Sequence, residues 1–573
     1  MVLPGAHTQS GTLQTPSGGL GRSLADARAA ELLSDWRLTP ATLMHKLDPT
    51  WIPAKWLQYL SFKIAGCIAR GNCGLLISAP PRHGKSLLST IATPLWVLEN
   101  FPHYNVVVST YGEELSTDFS RQIRDHIQNN QDLLSVRLRS DTQRVTNFLT
   151  TKGGGLKAVG LRGAITGRGA NVFVLDDYIK EPKEAMSPTY LEDLYTWWLT
   201  VARTRLEPGA VVIILATRWV PNDIHGRIMK HQREKGRSFF EYVELPAIYE
   251  PTKIIGVDEM DRPLTAPDHD ATDAIGRHYG DVLFPERYNR SSVLELREDL
   301  GSRWFNAMFQ QKPDEDENAV IKTEWFKKIT QTDFDARVAR ATERREVLKW
   351  GRGWDMASTQ AAGDYTSGAL ALYNKSTGEF FIRNINRGQY SPAKAEMEFV
   401  MSSYGDASKY NDYLIAMEQE PGSSGKYSVR HFEKLLRDVP EGYDERITNK
   451  VEEQLATSSK LLNAQPLLAA AENGKVYVVD DGYQEGELRE HHHWNANFYT
   501  ELETYPEGAH DDQVDSVALI YKKLSGKKGL KAAIGRDSKA KTAQEQLKTA
   551  SDGGNPGQRA GKRKSSITFG RRY

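Results

Sequence analysis

Two kinds of apolar pattern alternate along the chain. Short, nearly continuous apolar runs, such as Val211-Val212-Ile213-Ile214-Leu215, are separated by longer amphipathic stretches. A strand that is apolar throughout is covered on both faces, so these runs predict a parallel sheet flanked by helices. From Trp51 to about Gln311 the strand candidates are Gly74–Ser78, Asn105–Thr110, Asn171–Leu175 and Val211–Thr217. A second region, from about Ala319 to Leu524, offers Gly353–Met356, Ala369–Tyr373, Glu379–Asn384, Tyr413–Glu418 and Val476–Val479. Two of these are separated only by the turn Lys375–Gly378, which predicts antiparallel hairpin pairing instead of a helical crossover. The charged, proline-bearing stretch Lys312–Asn318 reads as a boundary between the regions. No internal repeat is present. The expected layout is a flexible N-terminal arm (1–47), a first α/β domain (48–311), a linker (312–344), a second α/β domain (345–524) and a tail (525–573).

Composition sharpens the ends of this picture more than its middle. At 573 residues and 39% hydrophobic content, the chain can bury two large cores. No apolar run approaches the ~18 residues of a membrane span, so no membrane partner is expected. The first 21 residues carry no charged side chain and are rich in Gly, Ser and Thr, which predicts a disordered arm and not a signal peptide. The only cysteines, Cys67 and Cys73, read as buried residues of a reduced intracellular protein. Formal net charge is zero, yet 13 Lys and Arg face three Asp and Glu in residues 525–573. That tail is poor in large apolar residues, so it is expected to be disordered and suited to polyanion contact.

Candidate chemistry begins after the first strand. Ala79-Pro80-Pro81-Arg82-His83-Gly84-Lys85-Ser86 lies between a buried strand and a helix-compatible stretch, Leu87–Ile91. Strand, phosphate-binding loop and helix in this order cradle ATP. Gly84 lets the backbone turn toward the phosphates, Lys85 neutralises β/γ-phosphate charge and Ser86 ligates Mg²⁺. Ala79 stands where such loops usually begin with glycine. A second buried strand ends in Asp176-Asp177: Asp176 would hold the metal through water and Asp177 would orient the attacking water. Asp177 is a departure, since glutamate is usual there. The glycine-rich stretch Gly160–Gly169 supplies Arg162 and Arg168, and the loop supplies Arg82, as competing candidates for stabilising γ-phosphate charge. Thr217 and Arg218, at the tip of a third buried strand, are candidates for sensing the γ-phosphate. Gln58 is a candidate for adenine recognition.

Taken together, these pieces resemble the large terminase subunit of tailed bacteriophages, a genome-packaging motor. The resemblance is carried by Ala79–Ser86, Thr166–Asp177, Ala216–Trp219, Leu283–Arg287 and Phe309–Pro313, and extends over about residues 48–524. It implies a P-loop ATPase domain with a parallel sheet, followed by a ribonuclease H-like nuclease domain. It also implies double-stranded DNA, a portal protein, a small terminase subunit and a homo-oligomeric ring on the portal as partners, in the host cytoplasm and not in the mature virion. The cofactors implied are ATP and Mg²⁺, with Mn²⁺ an alternative at the nuclease site.

Two-metal phosphodiester cleavage needs carboxylates converging on cations ~3.5–4 Å apart. Asp355 lies on the first strand of the second region, with Asp364 downstream, and Glu418 ends an apolar run before the loop Glu420–Gly425. Asp511 and Asp512 open a helix-like stretch. On a helix Asp511 and Asp515 share a face while Asp512 points about 100° away, so spacing leaves open which of them binds metal. The resemblance carries Asp355, Glu418 and the Asp511-Asp512 pair onto the metal site. His491-His492-His493, without a spaced partner, reads as a polar loop, and Lys426 as a solvated lysine. A repair or restriction helicase–nuclease would need second-lobe motor motifs, which are not found. An inactive DNA-binding relative fits poorly with an intact Gly-Lys-Ser and three acidic clusters.

Overall fold

A computed structural model describes residues 35–163, 169–236, 238–257, 263–313, 321–357, 365–419, 423–443, 451–455, 460–480, 482, 494–506, 508 and 510–526. Arg168, Asp364, Glu420, His491–His493 and the tail beyond Gly526 lie outside them, as do the side chain of Lys426 and residues 1–34 of the arm.

The first sheet has eight strands: β1 (Cys73–Ser78), β2 (Asn105–Thr110), β3 (Leu138–Arg144), β4 (Asn147–Thr150), β5 (Gly155–Gly160), β6 (Ala170–Asp176), β7 (Leu206–Ala216) and β8 (Phe240–Glu244). They run in the order β3-β4-β5-β2-β6-β7-β1-β8. All neighbours from β5 to β8 pair in parallel, and β3 and β4 add an antiparallel edge. The continuous apolar runs occupy β1, β2, β6 and β7, whose central residues are buried on both faces. This is the doubly covered parallel sheet that the hydrophobic pattern predicts. β7 lies between β1 and β6. Its C-terminal end therefore falls between the phosphate loop and the Asp176-Asp177 pair. A hairpin, β9 (Thr252–Val257) and β10 (Pro263–Pro267), stands apart from this sheet.

The second sheet contains β11 (Lys327–Ile329), β12 (Leu348–Asp355), β13 (Thr366–Asn374), β14 (Phe380–Gly388), β15 (Leu414–Gln419), β16 (Val451–Leu455) and β17 (Val476–Val479). Its order is β11-β17-β14-β13-β12-β15-β16. β12, β13 and β14 form an antiparallel meander, and β15 and β16 continue from β12 in parallel. That meander followed by parallel strands is the ribonuclease H-like arrangement, extended at its far edge by β17 and β11.

Three helices matter below: α1 (Arg290–Met308), α2 (Lys460–Glu472) and α3 (Asp512–Ser525). α1 is kinked at Gly301 and packs on α2, whose Leu462 joins the core under the first sheet. Gln465 donates to the carbonyls of Asp299 and Leu300, each at 3.0 Å, and Glu472 accepts from the Ser302 amide at 2.8 Å. α3 lies across β12 and β13.

Three expectations change. Residues 35–47 do not behave as an arm: Thr39 caps a helix, Pro40–Leu47, whose Ala41, Leu43 and Met44 are buried in the first core. The expected linker also contains β11 and a helix, Gln331–Glu343, and β11 pairs with β17 of the second sheet. Cys67 and Cys73 are joined in a disulfide, with Cα atoms 5.6 Å apart. Cys67 lies in the last turn of the helix Lys55–Arg70 and Cys73 starts β1, so the tight connection between them brings the thiols together, which composition does not reveal.

Candidate functional site

The phosphate loop leaves β1 with one more ladder bond, from the Ala79 amide to the Ala216 carbonyl at 3.2 Å. Ala79 thus extends the sheet, a role that needs no glycine. Gly84 has φ 89°, a left-handed conformation in which a side chain would be strained. Beyond it the backbone winds as a π-helical turn, Leu87–Ala92, into the helix Thr93–Asn100. Pro94 lacks an N–H and crowds the preceding turn, which gives a reason for the wider winding. This turn carries Thr90, whose hydroxyl donates to Asp176 at 2.7 Å.

Lys85 reaches across the strand tips. Its Nζ donates to the Thr217 hydroxyl at 2.6 Å and lies 3.1 Å from the Asp177 carboxylate. Asp177 also accepts from the Thr217 amide at 3.2 Å, and the Thr217 hydroxyl in turn donates to the Ala79 carbonyl at 3.2 Å. Beneath this network Asp176 is buried, and burial, then the charge of Asp177, pushes its carboxyl up to about 7. One of its oxygens has no hydrogen-bond partner. An orphaned buried carboxylate oxygen beside the Ser86 hydroxyl fits a hard divalent cation, held by Ser86 and Asp176.

A cavity of about 690 Å³ opens over these groups, lined by Arg82, Gly84, Lys85, Ser86, Asp177 and Thr217 among others. His83 turns away from it. Its Nδ1 meets the Pro81 carbonyl at 2.8 Å and its ring stacks on Tyr288 at 4.7 Å. Burial, with Arg287 nearby, pushes it down to about 4, so it is neutral. Gln58 is outside the cavity lining, and its amide donates to the Pro53 carbonyl at 2.5 Å. Arg218 is buried against Asp223 at 2.6 Å and is likewise outside that lining. Arg162 pairs with Asp193 at 3.1 Å on the surface. Arg287, which closes the Leu283–Arg287 stretch, lines the cavity, as do Tyr111 and Lys180, which stand in none of the motifs read from the sequence. Tyr111 directly follows β2, and Lys180 comes three residues after Asp177, so the rule that ligands bind beyond the C-terminal ends of parallel strands points to both.

On the second sheet, Trp354 of β12 is in register with Met417 of β15, so Asp355 and Glu418 emerge side by side at parallel strand ends. α3 brings the remaining carboxylates. It can lie on β12 because Gly351 and Gly353 leave that face bare: a Cβ on Gly353 would sit 2.5 Å from the Ser516 carbonyl. A buried bond between the Ser367 and Ser516 hydroxyls, 2.8 Å, fixes the crossing. Asp511 precedes the helix, and Asp512 and Asp515 lie in its first turn. Burial raises Asp355 well above the usual carboxylate range, and Asp515, Glu418 and Asp512 add to it. Asp515, absent from the resemblance, is pushed up to about 7 by burial and then by Asp511, and it accepts from the Tyr505 hydroxyl at 3.0 Å. Burial also raises Asp512, while Arg387 opposes it, and one Asp512 oxygen is buried with no hydrogen-bond partner. An all-carboxylate set with an orphaned oxygen fits hard divalent cations. Among the described residues, no three His, Cys, Asp or Glu side chains converge closely enough to chelate a cation without rearrangement.

Residues 76–328 match the family model described as "Terminase large subunit, T4likevirus-type, N-terminal". This first α/β region is thus similar to the N-terminal part of large terminase subunits. The match spans the phosphate loop, the Asp176-Asp177 pair and Thr217. Among solved structures, the large terminase of a thermophilic bacteriophage in complex with ADP is similar at 9% identity, over 80% of this chain and 95% of that one, with a TM-score of 0.39. The large terminase of bacteriophage HK97 is similar at 10% identity, over 82% and 94%, with a TM-score of 0.31. The Mn-soaked, inhibitor-bound terminase nuclease domain of human cytomegalovirus is similar at 13% identity, over 36% and 95%, with a TM-score of 0.28. No curated protein matches this chain. Its fold assignment rests on its own strand orders.

Proposed function

We propose that this chain is a large terminase subunit, which hydrolyses ATP to move double-stranded DNA into a procapsid and cuts concatemeric DNA with a second, metal-dependent site. The observation that carries the reading is the contact of Lys85 with both Thr217 and Asp177 over buried Asp176. Lys85 is placed to hold the β/γ-phosphates, Asp177 to orient the attacking water, and Thr217 to register loss of the γ-phosphate. Ser86 and Asp176 hold Mg²⁺. Arg82 or Arg287, both at the cavity wall, supplies positive charge to the leaving phosphate, or Arg168 does so from its own chain or a neighbour in the ring.

In the second site Asp355, Glu418, Asp511, Asp512 and Asp515 hold and orient divalent cations, Mg²⁺ or Mn²⁺. Bound there, the cations supply an activated water and stabilise the leaving oxygen of the DNA strand. The chain works as a homo-oligomeric ring on the portal protein, with a small terminase subunit, in the host cytoplasm, and is absent from the mature virion. The basic tail is suited to contact DNA phosphates.

Phosphate release measured with and without double-stranded DNA, beside plasmid cleavage in Mg²⁺ and in Mn²⁺, tests this reading. DNA-stimulated release together with metal-dependent cleavage is expected. A protein that does neither contradicts it, and unwinding of a duplex would favour a helicase–nuclease instead.

A further inference from the structure

We propose that Lys460 is a resident counter-cation of the nuclease carboxylates, which a divalent cation must displace before the site is complete. The inference rests on the nuclease reading above. Lys460 Nζ lies 2.6 Å from each oxygen of Asp511 and 3.7 Å from Asp515 Oδ2. One ammonium thus bridges two carboxylates, as a shared metal ion would. Charge-assisted contacts this short are the strong kind. The positive charge of Lys460 and a second cation cannot share that space at low cost, because like charges a few ångströms apart in a half-buried site repel strongly.

Position makes the lysine displaceable. Asp511 and Asp515 are largely buried, whereas the Lys460 side chain is 56% exposed. Lys460 is the first residue of α2, and the rest of α2 is tied to α1 through Gln465 and Glu472. Its backbone is anchored from the motor side, so leaving the carboxylates requires only a swing of its four-carbon stem into water. The cluster is thereby neutralised in part by a group that competes with metal and does not compete with folding.

Mn²⁺ binding to the full chain, read by the loss of the free-ion electron paramagnetic resonance signal, tests the proposal. Asp355→Ala defines the background from other sites. Lys460→Met, which keeps an apolar stem, is expected to bind the Asp355-dependent Mn²⁺ about tenfold tighter than wild type. The same variant should melt at a lower temperature without Mn²⁺ and recover with it. Lys460→Arg, which keeps the charge, should bind no tighter than wild type, and Lys460→Gln replaces the Met variant if that one does not fold. Unchanged or weaker Mn²⁺ binding in the neutral variant overturns the proposal. Absence of Asp355-dependent binding in wild type and variant alike overturns the nuclease reading itself.

Discussion

Both candidate sites set one lysine against buried acids at the C-terminal ends of parallel strands, and they do it in opposite ways. Lys85 is 5% exposed in its side chain, sits on a loop fixed by Gly84 and touches Thr217 and Asp177. Lys460 is mostly exposed, begins a helix that belongs to neither strand end, and clasps Asp511 from outside. A buried lysine on a rigid turn has one position and serves as part of a binding surface. An exposed lysine can leave, so it serves as a stand-in for what binds. The acids themselves behave alike: Asp176, Asp355 and Asp515 are each raised by burial first and then by neighbouring carboxylates.

The largest effect expected is at the fixed lysine. Lys85→Ala should lower phosphate release by about a thousandfold, since it removes the charge aimed at the transferring phosphate. A reduction of only a few-fold would place Lys85 outside the reaction. Next comes the crossing that assembles the second site. Gly353→Ala forces a methyl group against the Ser516 carbonyl and should destabilise the second domain by about 1–3 kcal/mol. Plasmid cleavage should fall with it while phosphate release persists; equal loss of both would mean that the two sites are not independent.

How much of this the sequence discloses follows from the same contrast. Lys85 announces itself through Gly84, Ser86 and the apolar strand before them. Asp355 is legible because it lies on the first strand of the second region, Glu418 because it ends an apolar run, and the hairpin β13–β14 because only a short turn separates its strands. Lys460 lies 51 residues from Asp511 and has no motif around it, so only the folded chain brings it to the acids. Helix spacing puts Asp515 on the face of Asp511 but leaves the choice among the three open, because the burial that raises Asp515 comes from packing that only the fold supplies. The Pro40–Leu47 helix escapes a reading by composition because the Gly/Ser-rich stretch before it dominates the local pattern.

Acid should separate the buried groups of the first domain. His225, bonded to the Tyr178 hydroxyl at 2.8 Å, is pushed down to about 3 by burial and then by Arg218. The unfolded chain takes up this proton near 6.5 and the folded chain does not, so acid costs the folded state stability from there downward. Asp176, pushed up to about 7, works in the opposite sense, so the histidine is isolated by difference. The stability advantage of wild type over His225→Gln should shrink by roughly 2 kcal/mol between about pH 7 and pH 5, read by denaturant unfolding. A gap that is constant with pH would mean that His225 is not held neutral. The smallest effect is expected for Thr217→Val, which keeps the shape but removes the hydroxyl that Lys85 donates to. Phosphate release should fall about tenfold, the worth of one charge-assisted hydrogen bond. A loss as deep as that of Lys85→Ala would make Thr217 part of the chemistry and not a support for the lysine.

The central claim is that one chain carries two separable active sites, and Asp355→Ala tests it most directly. Measured on the same preparation, plasmid cleavage in Mn²⁺ should disappear while DNA-stimulated phosphate release stays at the wild-type rate. Cleavage that survives the substitution, or phosphate release that vanishes with it, would contradict the account.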